Sequence, residues 1–167
     1  GYDVSGLAVE YEEPAAADLL DDMAQATGAS WEAANPGVNG IGSDEITVGL
    51  FHRPDRVRAM GPALTLGAAP FDLLSRKPVA RAFAPVGGGP AFFVAVNHFK
   101  SKGDSDLQDL ADEVAADIDG GTATAEVIDL YNALLADPNF DQGDGQGFWN
   151  QVRTDAAGEL VVWLDGG

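Results

Sequence analysis

A histidine between an amide and two ammonium groups is the feature of this sequence best suited to chemistry. Residues 97–103 read NHFKSKG and follow an apolar run, so Asn97, His98, Lys100 and Lys102 stand where a strand is expected to end. Histidine titrates near neutral pH and can donate or accept a proton at a scissile P–O bond. We therefore predict that His98 is catalytic and that Asn97, Lys100 and Lys102 contact a phosphate. The alternative is a histidine bonded to a backbone carbonyl beside solvated lysines. We call residues 97–103 the His98 motif.

A second segment, residues 141–150 (DQGDGQGFWN), is a glycine-rich turn before the last helical stretch, and we call it the glycine motif. It resembles a calcium loop superficially but lacks the alternating oxygen ligands and closing glutamate of an EF-hand. The alternative is a glycine-shaped turn that caps the helix. Asn150 and Arg153 lie three residues apart on that predicted helix, so both could face one substrate site.

Further polar candidates stand at predicted strand ends. Arg53 precedes Pro54 at a sheet rim, where it could bind a phosphate with two hydrogen bonds or form a rim salt bridge. Asp44 begins the same strand and could orient an imidazole, or it is a simple turn acid. Glu10 follows the first strand and could bind Mg²⁺, or Ca²⁺ or Mn²⁺, or belong to a solvated acidic edge. His52 is expected to be a packed, tyrosine-like group.

The elements that must position these residues follow from periodicity. Apolar alternation predicts strands, helical spacing predicts helices, and the inner strand is expected to be packed on both faces. Residues 79–97 are predicted to form a hairpin around the turn at residues 87–90. The predicted strands are 4–9, 46–53, 57–66, 79–83 and 91–97, and the predicted helices are 14–28, 105–118, 122–136 and 147–164. Hairpin strands followed by helices predict a layered α/β (α+β) domain with a mainly antiparallel sheet.

Charge is distributed unevenly along the 167 residues. The net charge is −18, yet residues 53–102 carry eight basic side chains against two acids. A basic face on an acidic body can attract a polyanion; the alternative is that these basic residues scatter over the folded surface. The Asp-rich, Lys-poor balance is typical of a salt-rich habitat, where screening makes such a charge tolerable. Thermal unfolding across a salt series tests this, because the chain should be least stable in low salt.

The sequence has no cysteine, and no apolar run is long enough for a membrane span.

Several motifs in one order resemble a known family. Residues 42–46 (GSDEI) lead to 52–57 (HRPDRV), then to 77–83 (KPVARAF), NHFKSKG and DQGDGQGFWN. This order resembles the extracellular nuclease branch of the endonuclease/exonuclease/phosphatase superfamily, which includes deoxyribonuclease I. In that branch the patterns are GTDxI, YRPxxV, a Pro-Leu-Ala-x-x-Phe strand, NHFKSKG and DQGDGQGCWN. The resemblance covers about residues 42–164 well and 3–28 loosely.

The resemblance implies a metal-dependent nuclease that acts on DNA outside the cell or at its surface. His98 would be catalytic, Asp44 its partner, Arg53 a phosphate contact and Glu10 a ligand of Mg²⁺ (or Ca²⁺ or Mn²⁺). Phe148 stands where the family has a cysteine, and the resemblance implies that this cysteine forms a disulfide bond between the two motifs. Val9 occupies the ungapped position of the family's metal-binding glutamate, and Glu10 fits with a one-residue shift, which turns a strand side chain to the other face.

The later family motifs, with their metal ligand and second histidine, would follow Leu164. We therefore expect residues 1–167 to be one domain, the N-terminal half of a four-layer α/β sandwich, with an acidic helical insertion at about 104–140. Two other interpretations remain open: a non-catalytic structural or adhesive domain of a larger surface or filament protein, and a phosphatase acting on another phosphoester.

Overall fold

The computed structural model describes residues 4–10, 13–34, 46–104 and 106–166, and for 4–10, 13–15, 46 and 47 it describes the backbone alone. The chain divides into two compact units, residues 1–99 with 162–167 and residues 100–161. The described residues form helices and antiparallel sheets, so the predicted α/β class is confirmed. The prediction of one domain that is half of a four-layer sandwich stays a prediction. Within the described ranges, no helix is long and apolar enough to cross a bilayer.

The described part of the first unit contains two three-stranded antiparallel sheets, ordered β1-β3-β2 and β4-β5-β6. Its elements are β1 (Val4–Glu10), α1 (Glu13–Thr27), β2 (Glu32–Ala33), β3 (Ile46–His52), β4 (Val57–Thr65), β5 (Arg76–Pro85) and β6 (Phe92–His98). The predicted strands and the predicted hairpin, now β5 and β6, are therefore present. The two-residue strand β2 is too short to give a periodic signal.

The two sheets pack face to face around an aliphatic and aromatic cluster. Val48 and Leu50 of β3 lie against Val57, Val79 and Phe83 of the other sheet, and all five side chains are fully buried. Each such burial stabilises the fold by about 1.5–3 kcal/mol. Phe51, next to Leu50, is also fully buried although consecutive strand residues point to opposite faces. The prediction of an inner strand packed on both faces is thus confirmed for β3.

Helix α1 ends as its sequence predicts. Gly28 follows the last helical residue with a φ of 65°, a conformation that glycine adopts without a Cβ penalty, and its N–H donates to the Ala24 carbonyl at 2.8 Å. This closure places the chain for β2, whose Ala33 pairs with Phe51 of β3.

The second unit is mainly helical, with α2 (Leu107–Asp119), α3 (Ala125–Leu135) and most of α4 (Asn150–Gly166). Its buried cluster joins Ala111 of α2 to Phe140 and Phe148, whose rings meet edge to face at 5.0 Å between centroids. The last helix was predicted to begin at residue 147 and begins three residues later. The reason is that Gly147 and Trp149 have φ values of 68° and 62°, which a right-handed helix cannot contain.

Candidate active site at the end of strand β6

The His98 motif crosses the junction between the two units. Asn97, His98 and Phe99 belong to the first unit, whereas Lys100 begins the second. His98 is the last residue of β6 and is partly buried, while Asn97 is exposed. The ring of Phe99 packs at a tilt against that of the buried Phe71, with centroids 6.3 Å apart, which anchors the chain directly after the histidine.

The cross-strand neighbour of His98 is an arginine that the sequence did not single out. Arg76, the first residue of β5, pairs with His98 in the antiparallel ladder. Its Nη1 lies 3.3 Å from Nδ1 of His98, within hydrogen-bonding distance, and both side chains are partly buried. The first unit therefore holds the candidate catalytic imidazole against a guanidinium.

A register shift in the β5–β6 hairpin creates this pair. Val79 faces Val96, and continuing that register would place Lys77 opposite His98. The register shifts between Arg76 and Val79, where Pro78 lacks the N–H that a regular ladder needs. As a result Arg76 takes the position that the regular hairpin would give to Lys77.

Arg53 directly follows β3 and forms an ion pair with Asp55, which lies in the turn at residues 54–56. Its Nε and Nη2 donate to the two carboxylate oxygens of Asp55 at 3.1 and 2.8 Å. The side chain of Arg53 is 17% exposed and that of Asp55 56%. The hydrogen bonds from Arg53 hold the pKa of Asp55 below its ordinary value. The rim salt bridge considered for Arg53 is thus present, and its predicted contact with a phosphate stays a prediction.

His52 lies in the core, as predicted. It is 4% exposed, and its ring lies 5.3 Å from that of Phe83 between centroids. Burial lowers the pKa of His52; the carboxylate of Glu32, 3.7 Å from Nε2, opposes this shift, and Arg81 adds to it. His52 is therefore a packing group rather than an accessible acid or base.

The predicted imidazole partner and metal ligand fall where side chains are not described. Asp44 lies outside the described residues. Glu10 is placed through its backbone, which pairs with Ile46, while its side chain is outside the description. Among the described residues, no group of three or more His, Asp or Glu could hold a metal ion. The assignments of Asp44 and Glu10 stay predictions.

In the second unit, the two motifs lock together. The Lys102 carbonyl accepts a hydrogen bond from the Phe148 N–H at 3.2 Å, and Lys102 Nζ donates to the Gly145 carbonyl at 3.3 Å. Gly147 passes so close that a Cβ there would lie 3.0 Å from the Lys102 carbonyl oxygen. We call this contact between residues 100–103 and 143–153 the clasp. It lies where the resemblance implies a disulfide, and Phe148 instead packs on Phe140.

Arg153 holds the clasp from the first turns of α4. Its guanidinium donates to the backbone carbonyls of Ser101, Gln146 and Phe148. Three of its five donors are thereby used within the protein. Asn150, the first residue of α4, is partly buried, and its carbonyl accepts from Thr154 Oγ1 at 3.0 Å. Arg153 thus has an evident structural role, and its predicted contact with substrate stays a prediction.

Lys100 packs on an aromatic ring. Its Nζ lies 5.0 Å from the ring centroid of Trp149, a cation–π contact. Trp149 has a positive φ of 62°, which is strained for a bulky residue, and its N–H donates to the Asn139 carbonyl at 2.7 Å. Its position in the clasp was not predicted, because an isolated tryptophan before a helix has no periodic signal.

The acids of the glycine motif shape the loop itself. One carboxylate oxygen of Asp141 accepts from the Gly143 N–H at 2.8 Å, and one of Asp144 accepts from the Gln146 N–H at 2.9 Å. Such local bonds are those of a turn, with Gly143 and Gly145 both at positive φ. The described geometry is that of the glycine-shaped turn considered as the alternative to a calcium loop.

The described residues thus gather the candidates into two groups. The first unit joins His98 to Arg76 at the edge of the β4-β5-β6 sheet, and the second joins Lys100, Lys102 and Arg153 in the clasp. Comparison of the chain with family models, curated proteins and solved structures gave no match.

Proposed function

We propose that this chain is a phosphodiesterase-type nuclease domain of the endonuclease/exonuclease/phosphatase superfamily that acts on DNA with a divalent metal. The observation that carries the proposal is the clasp. The motifs that resemble the family are about forty residues apart in the sequence, yet Lys102 and Phe148 hydrogen bond to each other. Two segments that resembled the family by chance would not be expected to contact each other in the fold, whereas two parts of one inherited site would.

The chemistry of the proposal centres on His98. An imidazole at a strand end, next to a guanidinium, suits a phosphodiester, whose reaction develops negative charge on the phosphoryl oxygens. Asn97 is exposed beside it on β6 and can donate to a non-bridging oxygen. The divalent metal would activate water and polarise the phosphoryl group, and Glu10 is the acid that the sequence assigns to it. Secretion or surface location and a DNA partner belong to this same proposal.

A second candidate function is favoured by the contacts of the basic residues. Arg53 is bonded to Asp55, and Lys102 and Arg153 donate to backbone carbonyls. Cations engaged in this way stabilise a fold and are less available to a polyanion. Together with the net charge of −18, these contacts favour a structural or adhesive domain that has kept the fold of a nuclease without its activity.

A nuclease assay separates the two functions. The wild-type chain is incubated with supercoiled plasmid and Mg²⁺, Ca²⁺ or Mn²⁺, beside His98→Ala and the matched control Arg58→Gln, an exposed charge on β4 outside the candidate group. For a nuclease we expect cleavage that a chelator abolishes, a loss of about 10²–10³-fold in His98→Ala, the effect of one lost donor to developing charge, and a wild-type rate in Arg58→Gln. Equal background rates in all three proteins, with unchanged circular dichroism, would reject the nuclease and favour the structural domain.

A further inference from the structure

We propose that Arg76 is a positioning residue that holds neutral His98 as the tautomer with hydrogen on Nε2. Where His98 meets a phosphodiester, which rests on the proposed function, this tautomer offers an N–H donor to a phosphoryl oxygen. The imidazole then stabilises charge through a hydrogen bond, and no proton is transferred to or from it.

The argument begins with what a guanidinium can do. Arginine carries five N–H donors and no acceptor, and it stays protonated in proteins. The Nη1 of Arg76 lies 3.3 Å from Nδ1 of His98, so Nδ1 must be the acceptor in this bond. A neutral imidazole has one N–H, and if Nδ1 accepts, the hydrogen is on Nε2.

The pair is supported by the backbone of the sheet. Arg76 and His98 face each other in the ladder of β5 and β6, so their Cα positions are fixed by the backbone. Phe99, the next residue in the chain, packs against the buried Phe71 and anchors the backbone after the imidazole. Arg76 therefore acts from a rigid strand, which is where positioning groups are most effective.

The neighbouring cation provides a contrast within the same strand. Lys77 is one residue from Arg76, and its Cε lies beside Gly67, where a Cβ would be 3.6 Å away. The register shift at Pro78 gives Arg76, and not Lys77, the place opposite His98. Lys77 therefore serves as a matched control with the same charge on the same strand.

The consequence for chemistry is specific. With Nδ1 accepting from Arg76 and hydrogen on Nε2, neutral His98 has no lone pair to offer to water or a hydroxyl group. It can donate from Nε2 to a non-bridging phosphoryl oxygen as charge develops there. A glutamine side chain can place an amide N–H near the position of Nε2, whereas an asparagine side chain reaches only the position of Nδ1.

The test is a ¹⁵N imidazole spectrum of the full chain, without DNA or metal, at about pH 8.5, two units above the ordinary histidine pKa of about 6.5. The chain has two histidines, so two sets of ring signals are expected, and a His98→Gln sample identifies those of His98. We expect His98 to show a protonated Nε2 and an unprotonated Nδ1. In Arg76→Met the ratio of the two tautomers should fall by about three- to tenfold, the effect of one lost hydrogen bond. Arg76→Lys should restore part of the ratio, and Lys77→Met should leave it unchanged.

A protonated Nδ1 in wild-type His98 would overturn the inference, as would an unchanged ratio in folded Arg76→Met. The wild-type spectrum alone decides the first point if Arg76→Met does not fold. His52 is an internal control, because its ring packs on Phe83 and its signals should not respond to Arg76. The spectrum needs no activity, so an inactive chain with the Nε2–H tautomer would reject the nuclease and leave the positioning role standing. If the chain is active, His98→Gln should retain at least about tenfold more activity than His98→Asn, because one hydrogen bond to a charged group contributes about 1.5–3 kcal/mol.

Discussion

The two parts of the His98 motif use basic side chains in different ways. In the first unit, the guanidinium of Arg76 meets the ring nitrogen of His98, a group that can act on a substrate. In the second, Lys102 and Arg153 meet backbone carbonyls, which cannot. The difference teaches that the likeness of a motif to a family does not assign one role to all its residues. Here Lys102 at one end of the motif binds a backbone carbonyl, whereas the chemical role of His98 at the other end is a proposal.

The surrounding charge differs in the same direction. Residues 53–99 carry six basic side chains and two acids, whereas residues 100–161 carry three basic side chains and fourteen acids. The net positive charge of residues 53–99 attracts a polyanion, and the net negative charge of residues 100–161 repels one. The basic side chains of the first unit are therefore concentrated at residues 53–99, which include Arg76 and His98, whereas residues 1–52 of the same unit carry ten acids and no Lys or Arg.

The largest expected effect is on the clasp. In Gly147→Ala the new methyl group would lie 3.0 Å from the Lys102 carbonyl oxygen, at a φ of 68°. We expect a loss of about 2–4 kcal/mol in the free energy of unfolding, from backbone strain and from the close approach. Urea unfolding measures it. Gly145→Ala is the matched control, since its φ is 84° and nothing lies within 4 Å of the added methyl group. The control should lose about 1–2 kcal/mol from strain alone. Equal losses in both variants would show that the clasp is not tightly packed at Gly147.

A smaller loss is expected when the cation that holds the clasp is removed. Arg153→Met abolishes the hydrogen bonds to Ser101, Gln146 and Phe148, and it should reduce the free energy of unfolding by about 1–2 kcal/mol after solvent screening. Arg58→Met, an exposed cation of the first unit, should change it by no more than about 0.5 kcal/mol. If Arg153→Met is as stable as wild type but binds DNA less well, the comparison fails and Arg153 is a substrate contact.

The smallest effect is a pH dependence in the first unit. Burial lowers the pKa of His52 from its ordinary 6.5, and the opposing carboxylate of Glu32 limits the shift. Below pH 6.5 the unfolded chain takes up a proton before the folded chain does. The contribution of His52 is therefore present above pH 6.5 and is lost as the pH falls toward the lower folded pKa. Unfolding free energies at about pH 8 and pH 5 should differ more for wild type than for His52→Phe, with the ordinary histidine pKa of about 6.5 between them. Identical differences in both proteins would contradict a pKa shift at His52.

Much of the fold could be predicted because its signals are local. The alternation of β3, the apolar run of β6, the turn of the β5–β6 hairpin and the glycine after α1 each depend on neighbouring residues. The start of α4 could not be predicted from spacing, since Trp149 directly before it has a positive φ and donates to Asn139, a contact that exists only in the folded chain. Strand β2 was not predicted either, because its two residues form a strand only through their pairing with β3 in the folded chain.

The candidate site was predicted in part. Residue type alone identifies His98, since few side chains titrate near neutral pH, and it places Arg53 at a rim beside a possible acid. Residue type cannot say whether a given cation binds a substrate or a backbone carbonyl, because its N–H groups can donate to any nearby acceptor oxygen. Asp55 and the three carbonyls around Arg153 lie near these cations only in the folded chain.

By itself, then, the sequence determined the α/β class, the paired strands and the position of His98 at a strand end, because periodicity and residue chemistry are properties of short segments. The tertiary structure alone decided which cation faces that histidine. In a regular hairpin Lys77 would lie opposite His98, and with the one-residue register shift near Pro78 Arg76 lies there instead. The physical reason is that strand pairing is set by backbone hydrogen bonds across the sheet, and an extra residue on one strand, here beside a proline that cannot donate to the ladder, shifts the register for the positions beyond it.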